Sequence, residues 1–185
     1  LIDVSGFERI DLDSDSPKGE LGREARDYLM THQWCWHVSE LFVAADYGAV
    51  VLLAEFKPFV APVGHEVWII TGDLPLSYMG VKSCETALEA LGVYCALTLT
   101  WIQKTTKKAN TKHCIKLTSH GDLGLLESVE DARSCIPTLT EVAGRLISDE
   151  PAFASLDPII QEDLKVVQRI GTNWINRTSG RSDRD

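Results

Sequence analysis

The chain has 185 residues, 44% hydrophobic and 24% charged, with 18 Lys and Arg against 27 Asp and Glu for a net charge of −9. That length suits one domain of roughly 100–200 residues with a core that needs no metal or disulfide staple, and the composition argues against wholesale disorder. A surface this acidic repels phosphate backbones, so nucleic acid is excluded as a direct partner and a cationic one is favoured.

Residues 1–19 are polar and acidic, with Asp11, Asp13 and Asp15 alternating with Leu12, Ser14 and Ser16. They read as a loosely ordered entry segment with a short strand near Phe7 to Leu12. A helix is predicted over Glu20 to His32, because Leu21, Ala25, Tyr28 and Leu29 recur at helical spacing. A β-meander follows. His37–Val43 is its first strand, Asp46-Tyr47-Gly48 is turn chemistry, and Ala49–Phe56 is apolar enough to be a central strand. Lys57-Pro58 ends that strand, since Pro has no N–H for a ladder. Glu66–Thr71 is the third strand, and short connections make the sheet antiparallel.

Gly72-Asp73-Leu74-Pro75 then breaks the pattern. From Ser83 the period turns helical, with Leu88, Leu91, Cys95, Thr98 and Ile102 on one face. Asn110–His113 reads as loop, Cys114–Thr118 as an edge strand and His120-Gly121-Asp122 as a turn. A helix over Leu125–Ser134 is interrupted by Pro137, and another covers Thr138–Ile147. Asp157-Pro158 opens the last helix, with Asp as cap and Pro at the first helical position. Residues 178–185 read as a disordered polar tail, leaving a single domain over 1–177. The predicted class is α+β: an antiparallel meander of about three to five strands packed against several helices.

The five cysteines, Cys35, Cys84, Cys95, Cys114 and Cys135, are odd in number, widely spaced and form no CxxC. Free thiols in a reducing, cytoplasmic compartment fit this usage better than a disulfide framework. No apolar run reaches the ~18–20 residues that cross a bilayer. The chain starts at Leu1, which leaves a removed leader open.

The sequence carries no phosphate loop, dinucleotide fingerprint, HExxH pair or GxSxG elbow. His32, His37, His65, His113 and His120 stand in no zinc-ligand spacing, so no metal or other cofactor is expected. Cys35 lies two residues before His37, which on a regular strand puts both on one face and makes them a candidate nucleophile–base pair. The competing reading is a buried thiol beside a partly exposed imidazole. Glu66 and Asp73 bracket a strand as a candidate acid/base pair, against which Asp73 reads as a turn residue. Trp34, Trp36, Trp68 and Tyr78 cluster around the ends of the meander, as core or as contact surface.

Trp68-Ile69-Ile70-Thr71-Gly72-Asp73-Leu74-Pro75 followed by Tyr78, with Trp36-His37-Val38 upstream and a helix carrying Trp101 downstream, resembles the uncharacterised bacterial family catalogued as domain of unknown function 4826. The resemblance covers about residues 34 to 150. It implies a Trp-rich strand, a turn and a long helix, and a bacterial origin, but no activity.

The functional expectation is a protein-binding inhibitor of the bacterial immunity or antitoxin type that occludes a cationic, co-encoded toxin. Its contact residues are Asp11, Asp13, Asp15, Trp34, Trp36, Asp73 and Tyr78. The alternatives are a small hydrolase using Cys35 and His37 or Asp73, and a dimeric accessory or adaptor protein.

Overall fold

A computed structural model describes residues 2–58, 65–107, 116–117, 121–123 and 129–179. Its packing separates two compact units. The first is Leu1–Ala90 with Lys116–Gly124, and the second is Leu91–Ile115 with Leu125–Asp185.

The first unit is an antiparallel sheet with one helix on it, which establishes the α+β class. The strands are β1 (Glu8–Arg9), β2 (Cys35–Asp46), β3 (Ala49–Pro58), β4 (His65–Gly72), β5 (Ser77–Gly80), β6 (Lys116–Leu117) and β7 (Gly121–Leu123). Their order in the sheet is β1-β2-β3-β4-β5-β7-β6. β2 to β5 are the expected meander, and among the described residues short strands extend it at both edges. The β2–β3 turn forms as its residues dictate: Gly48 takes φ 90°, and the Asp46 carboxylate accepts its N–H at 3.0 Å.

Helix α1 (Pro17–Met30) begins three residues before the predicted start. Ser16 caps it by accepting the Gly19 N–H at 3.1 Å, and Pro17 takes the first position, where no donor is lost. Ala25 and Leu29 pack onto the sheet face formed by Val38, Leu41, Leu52, Ala54, Phe56, Val67 and Ile69. On β3 that face is the even-numbered set, and the odd-numbered Val51 and Leu53 are also fully buried. A strand buried on both faces explains the unbroken apolar run.

The entry segment read as loose has defined anchors. Ile10 is buried at 7% exposure, and its N–H donates to the Leu41 carbonyl at 2.9 Å. Arg23 donates to the carbonyls of Leu12 and Ser14 at 2.9 and 2.7 Å.

Helix α2 (Ala87–Lys107) starts later than Ser83 because Thr86 is the residue that caps it. The Glu89 N–H donates to the Thr86 hydroxyl at 3.1 Å while the Glu89 carboxylate accepts the Thr86 N–H at 3.2 Å, a reciprocal capping box.

The second unit is helical, with most of α2, then α3 (Val129–Ser148), α4 (Glu150–Ser155) and α5 (Pro158–Ser179). The two helices expected around Pro137 are one continuous helix. Pro137 removes one ladder bond, but both it and Arg133, whose carbonyl loses that donor, are exposed and face water. Gly121 and Asp122, expected in a turn, lie on β7 opposite Met79 and Tyr78. Of the expected strand Cys114–Thr118, only Lys116–Leu117 is described. The loop Asn110–His113 and residues 180–185 lie outside the described residues, while Thr178 ends within α5 instead of starting the tail. Among the described residues no helix is long and apolar enough to cross a membrane.

Candidate protein-binding surface

Asp11, Asp13 and Asp15 are all exposed and sit on one short loop between β1 and α1. The loop has a defined shape. The Asp11 carboxylate accepts the Asp13 N–H at 3.0 Å, and the Ser14 hydroxyl accepts the Ser16 N–H at 3.2 Å. Gly19 holds it close to α1, because a Cβ there would collide with the Ser14 carbonyl. Preset loop geometry lowers the ordering cost of any contact these carboxylates make.

Where this loop leaves the sheet, a groove of about 370 Å³ opens along β2, lined by Arg9, Ile10, Asp11, Leu12, Asp13, Ser39, Glu40 and Leu41. Arg9 is tied to Glu40 at 2.7 Å, so the charges facing a visitor are mainly those of Asp11 and Asp13. Sequence reading found these aspartates but not Ser39 or Glu40, whose place depends on strand pairing.

β2 carries three extra residues relative to β3. Cys35 pairs with Pro58 and His37 with Lys57, Val38 with Phe56 and Glu40 with Glu55, Val43 with Leu52 and Ala45 with Val51. Trp36, Ser39 and Ala44 are therefore bulge positions, which bend a strand and add twist. The first bulge removes the candidate Cys35–His37 pair. Their partners Pro58 and Lys57 are neighbours on β3, so Cys35 and His37 stand on opposite faces of β2. Cys35 is 2% exposed within the core and His37 is exposed. Burial pushes the Cys35 thiol above its ordinary value, opposed by a hydrogen bond from the His37 backbone. A buried thiol held in its protonated form is a poor nucleophile.

The aromatic residues divide into three environments. Trp68 is a core residue on the opposite sheet face from α1, 1% exposed, and its indole N–H donates to the Cys84 carbonyl at 2.8 Å. Trp36 stands 62% exposed at its bulge. Trp34 and Tyr78 meet at a centroid separation of 5.0 Å, with His32 at 5.3 and 5.0 Å from them and Phe56 at 4.9 Å from Trp34. Rings at these spacings fill the space between them with each other. Trp34 and Tyr78 are brought together, half-buried, in a packed aromatic cluster, while Trp36 is exposed.

Asp73 is exposed in the turn before β5. Glu66 accepts the Ile2 backbone N–H on both carboxylate oxygens, at 3.2 and 3.0 Å. Glu66 thus serves a backbone contact of the N-terminal segment.

The four described cysteines, Cys35, Cys84, Cys95 and Cys135, are free and buried. Among the described residues no group of three or more His, Cys, Asp or Glu is arranged to hold a metal. No family model, curated protein or solved structure matches the chain.

Proposed function

We propose that this chain is a protein-binding inhibitor of the immunity or antitoxin type, which recognises a cationic protein through the Asp11–Asp15 loop and the groove beside β2. One observation carries the reading: three exposed carboxylates stand on a loop pinned by Arg23, and two of them, Asp11 and Asp13, line a groove at the sheet edge. A net charge of −9 supplies the long-range attraction that speeds such an encounter. Trp36, exposed further along the same strand, is the aromatic residue suited to anchor the contact.

The thiol version of the hydrolase reading has no geometric support, because Cys35 and His37 diverge. The test is capture of partners by tagged protein from its native cell extract at low and high salt, beside the variant Asp11→Asn/Asp13→Asn/Asp15→Asn. A basic protein should be retained at low salt, released at high salt and lost from the variant. Equal retention by the variant would remove the loop from the interface; no retained protein at either salt would remove the binding reading.

A further inference from the structure

Glu40, Glu55 and Glu66 are register partners across β2, β3 and β4, and so form a row on one sheet face. The first described residues run over the same face and meet the row at both ends. The Ile2 N–H is held by the Glu66 carboxylate, and Arg9 pairs with Glu40 at 2.7 Å. Between these clamps the Phe7 ring lies edge-on to Trp68 at 6.4 Å. A third tie runs from Glu8 to Lys18 on α1, an exposed pair that salt also screens. Two further bonds are local: Ser5 N–H to the Asp3 carboxylate at 3.0 Å, and Phe7 N–H to the Val4 carbonyl at 2.9 Å. Ile2, Val4 and Phe7 are half-buried, whereas Asp3, Ser5 and Gly6 are exposed.

We propose that residues 2–9 form a latch, clamped at Glu66 and Glu40 and hinged at Ile10, that opens as a unit while the strands beneath stay paired. Both clamps are contacts to charged groups, and the Arg9 side chain is 68% exposed, so salt screens that pair. β1 adds pairing over two residues only. A segment with partial burial and a short ladder belongs to the low-stability end of a fold. Ile10 is buried and bonded to Leu41, which fixes the pivot. The latch does not depend on the binding reading, and a cationic partner, if there is one, would compete with Arg9 for Glu40.

Amide hydrogen exchange on the full chain, without any partner, tests this. In Arg9→Ala/Glu66→Ala, residues 2–9 should exchange about tenfold faster as one group, while Ala49–Pro58 keeps its protection. In the unsubstituted chain, exchange over residues 2–9 should also quicken in ~1 M salt, where the Debye length is about 3 Å. Unchanged exchange over residues 2–9 in both experiments, or loss of protection in β3 together with the latch, would overturn the proposal.

Discussion

Glu55 in β3 stands directly opposite Glu66 in β4, and its other flank faces Glu40 in β2. Like charges directly opposite on a sheet oppose pairing. The two outer members of the row have partners in the N-terminal segment: Ile2 for Glu66 and Arg9 for Glu40. Glu55, in the middle, meets a carboxylate on each side. Glu55→Thr is therefore expected to raise stability by about 0.5–1 kcal/mol, and by more at low salt than at high salt. Urea denaturation at two ionic strengths measures this. A loss of stability would show that Glu55 is held by a group that outweighs its two neighbours.

Trp68 is a second site with a definite energetic signature. Its ring is 1% exposed and its N–H satisfies the carbonyl of Cys84, a residue just before the capping box of α2. Trp68→Phe removes that donor, leaves the carbonyl facing apolar atoms and opens space where the larger ring lay. The two effects together are expected to cost about 2–4 kcal/mol. The measure is the shift in denaturation midpoint at an unchanged denaturant slope. A shift under about 1 kcal/mol would mean that water reaches the Cys84 carbonyl.

The parts of this fold that are legible in the sequence are those set by local chemistry. Asp46-Tyr47-Gly48 makes its turn, and Asp157-Pro158 starts α5, where the Asp157 carboxylate accepts the Ile159 N–H at 2.8 Å. The exposed aspartates of the entry loop were found for the same reason. What was not legible depends on partners distant in sequence. β5 and β7 have four and three residues and exist through pairing, β5 with β4 and β7, and β7 with β5 and β6. The bulges at Trp36 and Ser39 break the two-residue period, and that period was the whole basis for placing Cys35 beside His37. The glutamate row was hidden likewise, because register alone brings Glu40, Glu55 and Glu66 together. Thr86 and Glu89 are an exception: their capping box is a local pattern present in the sequence, three residues past Ser83, which offers a competing cap.

The buried thiols give stability a defined alkaline limb. Burial pushes Cys95 up to about 12, and burial aided by the nearby Glu89 pushes Cys84 up to about 11, from an ordinary 9.0. Below pH 9 both thiols are protonated folded or unfolded, and their contribution does not change. Above pH 9 the unfolded thiols ionise while the folded ones hold their protons, so stability falls with rising pH. The slope is about 1.4 kcal/mol per pH unit per thiol. Cys84 stops contributing to the slope near pH 11 and Cys95 near pH 12. Urea midpoints for the parent, Cys84→Ala and Cys95→Ala between pH 8 and pH 10, roughly one unit either side of the unfolded thiol value, resolve the two contributions. A parent slope no steeper than that of either variant would show that the thiols are already ionised in the folded chain.

In the second unit α5 comes close to α3 at Gly171. A Cβ on Gly171 would collide with the Thr140 hydroxyl and lie 2.9 Å from the Thr140 Cβ. Thr140 is not free to turn away without loss, because its hydroxyl donates to the Ile136 carbonyl at 2.7 Å. Gly171→Ala gains about 1 kcal/mol of helix propensity, yet overpacking of this kind costs about 1–3 kcal/mol. The single variant is expected to be destabilised on balance. In Gly171→Ala/Thr140→Ala the hydroxyl and methyl groups are gone, which leaves only the Cβ–Cβ approach of 2.9 Å to be relieved, and the propensity gain remains. The double variant should then be more stable than the sum of the single changes predicts, by about 1–2 kcal/mol of coupling. A double-mutant cycle by urea denaturation reads this directly. Additive single effects would mean that α3 and α5 separate enough to admit the methyl group without Thr140 moving.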